Sequence, residues 1–129
     1  MVPAALTIVP ISEPRELFRV VRTGDRNDPE LVESFKSNYE LGKPIRPRSP
    51  EATYRAIWQA VSMFETLEAA KSVACRVPAL GGWVARLVLD AEHSCSLAVW
   101  GSRHHVSVWG DPCQMSSAVA DIFVVEVAT

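Results

Sequence analysis

Few residues in this 129-residue chain have the type and spacing to do chemistry. The first are two arginines, Arg19 and Arg22, in the apolar run LFRVVRTGD. An arginine offers a planar fork of donors that fits phosphate oxygens. Next is Ser62, in the short apolar run VSMF, a small hydroxyl that can orient a ligand without filling its pocket. Two late acids follow, Asp111 and Glu126. A carboxylate in a cleft can stabilise positive charge that develops on a sugar as a leaving group departs. Tyr39 adds an aromatic face, and the adjacent His104 and His105 add a candidate general base. Each also has a purely structural reading. The arginine could be a strand charge paired with a carboxylate, Ser62 a packing residue, Asp111 a helix cap before Pro112, and Glu126 a solvent-facing strand residue.

Several chemistries find no support. Gly81-Gly82 precedes a strand instead of following one, so it is not a dinucleotide-binding turn. There is no GxxxxGK[ST] and no HExxH. The three cysteines, Cys75, Cys95 and Cys113, form no CxxC pair and read as free thiols of a reducing compartment. The histidines fit no common zinc spacing, so no metal is expected. The net charge of −2 disfavours a protein that coats nucleic acid, although Lys43, Arg46 and Arg48 make a local basic cluster. No apolar run approaches the ~20 residues that span a bilayer. With no basic leader, the expected location is cytoplasmic, with no membrane partner.

The elements that must position these residues are legible in outline. Residues 1–14 read as an N-terminal arm able to add an edge strand, and 15–129 as a single domain. Leu17–Val21 has strand length, with Arg19 and Val21 on one face and Phe18, Val20 and Arg22 on the other. Asp28-Pro29, Ser49-Pro50 and Asp111-Pro112 each place a capping side chain before a proline at the first helical position. The spacing of Leu31, Phe35 and Tyr39 predicts a first helix from Pro29 to about Leu41, stopped at Gly42. A second runs from Pro50 to about Ala60, and a third from a Thr66 cap to Pro78. The remainder is mostly strands: WVARLVLD, a hairpin of CSLAVW and HHVSVW with Trp100 facing Trp109, and DIFVVEV after a short helix from Pro112 to Ala120. This order predicts an α+β fold, a small mixed or antiparallel sheet flanked by about three helices.

An early-strand arginine, a serine on a strand just before a helix and an acid late in the chain together resemble the ADP-ribosyltransferase-like fold. The resemblance runs from about Leu17 to Val127. It implies that Arg19 or Arg22 meets NAD, that Ser62 lines the nicotinamide pocket, that Tyr39 lies along the dinucleotide, and that Glu126 or Asp111 sits by the ribose. It implies NAD as a substrate, with ADP-ribosyl transfer or NAD glycohydrolysis as the activity. A toxin or effector of bacterial type would then meet a protein partner, whether antitoxin, inhibitor or target. Two alternatives stand beside it. One is a metal-independent ribonuclease toxin using His104 or His105 as base. The other is a non-catalytic interaction or immunity-type module.

Overall fold

The computed structural model describes residues 7–44, 51–99 and 105–125. Seven strands occur among them: β1 Val9–Pro10, β2 Arg15–Val21, β3 Val61–Phe64, β4 Trp83–Leu89, β5 Ser96–Val99, β6 His105–Trp109 and β7 Val119–Val124. Four helices accompany them: α1 Pro29–Glu33, α2 Glu51–Trp58, α3 Leu67–Arg76 and α4 Pro112–Ser117. All seven strands belong to one sheet, in the order β1-β5-β6-β3-β2-β4-β7, and every pairing is antiparallel. The expected α+β architecture is present, with an antiparallel sheet and four helices. No described helix is long and apolar enough to cross a membrane.

The central strands β2 and β4 pair over their whole length, from Arg15 opposite Leu89 to Val21 opposite Trp83. Both carry apolar residues on both faces, because both faces are covered. On one face Leu17, Val21, Ala85, Leu87 and Leu89 join Met63, Val106 and Val108 beneath Leu31 and Phe35, with Met115 from α4. On the other face Phe18, Val20 and Val84 meet α3 through Ala70 and Ala74, whose small side chains let the helix lie close. The cap of α3 is the expected one, with Thr66 Oγ1 accepting from the Ala69 amide at 3.1 Å. β1 lies at the sheet edge, where Pro10 removes no interior ladder bond.

The first helix is shorter than the spacing of apolar residues predicts. It ends at Glu33, and turns follow at 34–35 and 38–42. The cause is local competition for the backbone. Ser34 Oγ donates to the Glu30 carbonyl, while Ser37 and Glu40 cap each other's amides at 3.2 and 3.0 Å. A new single turn therefore starts at Ser37 and closes at Gly42, whose φ of 73° is left-handed. Leu31 and Phe35 are fully buried as expected, but Tyr39 is left 53% exposed. The hairpin register also differs from expectation. Trp109 lies opposite Ser96, and its indole N–H donates to the Ala56 carbonyl at 2.8 Å. Trp100 is outside the described residues, as are His104, Ser49-Pro50, Arg46 and Arg48.

Candidate functional site

The sheet is not equally tight throughout. β2 and β3 share a single bridge, Phe18 opposite Phe64, whereas β3 pairs with β6 at four positions and β2 with β4 at seven. Continued beyond that bridge, the register would set Val20 opposite Ser62. The strands separate there instead, and the Arg19 side chain enters the gap. Its Nη1 donates to the Ser62 carbonyl at 2.7 Å and its Nε to the Ser34 carbonyl at 2.7 Å. One guanidinium thus ties together β2, β3 and the end of α1, with charge-assisted bonds standing where ladder bonds would be.

Arg19 is the half-buried arginine and Arg22 the exposed one, and both line the same cleft. The pairing of Arg19 is unusual for a half-buried cation. Among the described residues its partners are two neutral carbonyls, and no carboxylate forms an ion pair with it. Burial, followed by the nearby Arg22 charge, pulls its pKa down to about 10. It stays fully protonated at neutral pH. Among the described residues, the gap between β2 and β3 therefore holds a positive charge without an ion-paired carboxylate.

Ser62 sits on that gap. Val61 and Met63 turn into the core, so Ser62 and Phe64 face the opposite side of β3. The β3–β6 register sets Ser62 opposite Ser107 and Phe64 opposite His105, which puts Ser62 and His105 diagonally across one face. His105 Nε2 lies 3.1 Å from Ser62 Oγ, the roles of donor and acceptor depending on the tautomer. The imidazole also rests edge-on against Phe64, with ring centroids 5.7 Å apart and an interplanar angle of 77°. Ser62 is exposed and His105 half-buried, so the pair is open to a ligand.

Arg19, Ser62 and His105 line one cleft of about 680 Å³. That volume is ample for a small molecule, whose sites run about 300–1,000 Å³. The cleft is two-sided in character. Arg19, Arg22, Lys36 and Lys43 supply cations, and Phe64, Val73 and Leu80 supply apolar surface. Glu30 and Glu33 are its acids, and Glu33 is held by Lys36 at 2.9 Å. Four basic side chains against two acidic ones, in a chain of net charge −2, make this a locally positive site.

The other predicted residues lie elsewhere. Asp111 does not line the cleft. Its Oδ1 accepts from the Cys113 amide at 2.7 Å and the Gln114 amide at 3.4 Å, which is the work of an α4 cap. Tyr39 packs edge-on against Trp58, with centroids 4.9 Å apart, and does not line the cleft, though its neighbours Asn38 and Leu41 do. Glu126 lies outside the described residues. Sequence reasoning set His105 in the ribonuclease alternative and did not join it to Ser62. The alternation in HHVSVW aligns His105 with Ser107, but nothing local shows that β6 pairs with β3. Ser34 was also missed, because its contribution is a backbone carbonyl. Among the described residues, no group of three His, Cys, Asp or Glu side chains is arranged to hold a metal. Compared with known proteins, the chain matches no family model, no curated protein and no solved structure.

Proposed function

We propose that the cleft between β2, β3 and the end of α1 takes NAD, and that the chain is a small cytoplasmic protein of ADP-ribosyltransferase-like fold. Its reaction is cleavage of the bond between ribose and nicotinamide, with water or an acceptor group receiving the ADP-ribosyl unit. The observation that carries this reading is the meeting of Arg19 and Ser62, 43 positions apart, at one cleft, with no carboxylate paired to the arginine among the described residues. A pyrophosphate offers the negative charge that Arg19 and Arg22 match. The apolar side of the cleft offers a surface for the nicotinamide ring, and the Ser62 hydroxyl a polar anchor beside it. Glu126 remains the acid proposed to sit near the ribose. A toxin or effector role, restrained by an inhibitor protein or directed at a target protein, belongs to the same proposal.

Titration calorimetry with NAD and with ADP-ribose tests it. Arg19→Ala and Ser62→Ala should each weaken binding, the arginine change by at least about 10-fold, as loss of a charge-assisted contact does. Wild-type affinity in a folded Arg19→Ala variant would reject the site.

One observation favours a second reading. His105 shares the cleft with four basic side chains, an arrangement that a metal-independent ribonuclease could use on a phosphodiester. Cleavage of a short RNA in the presence of a chelator, lost in His105→Ala and independent of NAD, would move the assignment there.

A further inference from the structure

The cleft has a proton acceptor that the acid-based scheme does not include. We propose that His105 is the general base for the group that attacks the ribose, acting at or through Ser62. The inference rests on the NAD reading and specifies its chemistry.

The geometry narrows the choice. Of the carboxylates considered from sequence, Asp111 is occupied in capping α4 and does not reach the cleft. Of the two acids that do line it, Glu33 is engaged with Lys36, and Glu30 sits in the first turn of α1. His105 is the titratable side chain bonded to Ser62, with Nε2 at 3.1 Å from Oγ. That is the reach required of a base acting on a hydroxyl or on a water bound to it. The edge contact with Phe64 fixes the ring direction, and Phe64 is the residue that bridges β2 and β3. The base is thus mounted beside the point where the sheet opens.

In the hydrolytic step, water attacks the anomeric carbon of the nicotinamide ribose. The new carbon–oxygen bond forms as the carbon–nitrogen bond to nicotinamide breaks. The electron pair of that bond stays on the ring nitrogen and neutralises the pyridinium. The proton released by water goes to His105 Nε2, directly or through the Ser62 hydroxyl. The products are ADP-ribose and nicotinamide, and no oxidant, reductant or metal enters the balance.

The test measures nicotinamide release from NAD alongside ADP-ribose binding by calorimetry, for wild type, His105→Gln and His105→Ala. Gln keeps a hydrogen-bonding group near Ser62 but cannot take up the proton. The expected result is at least about 100-fold lower kcat in both variants, as for loss of a general base, with ADP-ribose affinity within a few-fold of wild type. Added imidazole should restore part of the His105→Ala rate, which a merely structural role for His105 would not allow. Full turnover in His105→Gln would overturn the inference, as would a loss that imidazole leaves unrestored. If wild type itself releases no nicotinamide, the NAD reading fails first and the inference falls with it. The two failures are therefore distinguishable.

Discussion

At the scale of single residues, Arg19 is the side chain that joins β2, β3 and the end of α1. Two carbonyl bonds hold the guanidinium in place, but they do not neutralise it. Partly desolvating a charge that has no ion-pair partner among the described residues is unfavourable, so the folded chain keeps this arginine at some expense in stability. Arg19→Met should therefore shift the unfolding free energy by less than about 2 kcal/mol in either direction, read from urea titration, while NAD binding is lost. A depressed cation also gives a sign that can be checked. The folded state binds this proton less tightly than the unfolded state, so the penalty is complete below pH 10. It is relieved as pH rises from about 10 toward the ordinary arginine range. The difference in stability between wild type and Arg19→Met should thus move in favour of wild type between about pH 10 and about pH 12. No change across that window would mean that Arg19 carries no desolvation strain. From the sequence alone, both arginines were equal candidates, since a shift of one residue exchanges the faces of a strand. The half-buried one is set by the β2–β4 register, which joins residues more than 60 positions apart.

At the scale of elements, the local rules were dependable where a side chain meets its own backbone. Asp28, Thr66 and Asp111 all cap helices as their spacing predicts. Asp111→Ala should cost about 1 kcal/mol in urea unfolding and leave nicotinamide release unchanged. A collapse of turnover in a folded variant would return Asp111 to the site. The rule of apolar spacing failed for α1, because the Ser37–Glu40 capping pair competes with helix continuation and periodicity does not register such competition. Gly81 has a sharper requirement. Its φ is +142°, and a Cβ there would run into the Val21 carbonyl at the end of β2. Gly81→Ala should cost about 2–3 kcal/mol or more, measured by thermal unfolding. It acts on the strand end that precedes Arg22, so Arg22 should lose its place at the cleft in the same variant.

At the scale of the whole molecule, the class of fold could be read from the order of helix and strand signals, but the site could not. The strand order β1-β5-β6-β3-β2-β4-β7 is built almost wholly from non-local pairings, and the opening between β2 and β3 leaves no local trace. That opening brings Arg19, Ser62 and His105 together from three distant segments. It also concentrates cations in a chain whose overall charge is slightly negative. Raising sodium chloride from about 50 to about 500 mM should accordingly weaken NAD binding several-fold and leave binding of neutral nicotinamide nearly constant. Equal salt dependence for the two ligands would place the pyrophosphate away from the cationic wall.

The most direct test of the central claim is chromatographic measurement of nicotinamide released from NAD by the purified wild-type chain, with Arg19→Lys and Ser62→Ala beside it. Release by wild type, reduced at least about 10-fold in both folded variants, is the expected outcome, because lysine cannot reproduce the two-carbonyl clamp that aims the guanidinium. Release that both variants retain at the wild-type rate, or no release by the wild type, would contradict the assignment of this cleft to NAD chemistry.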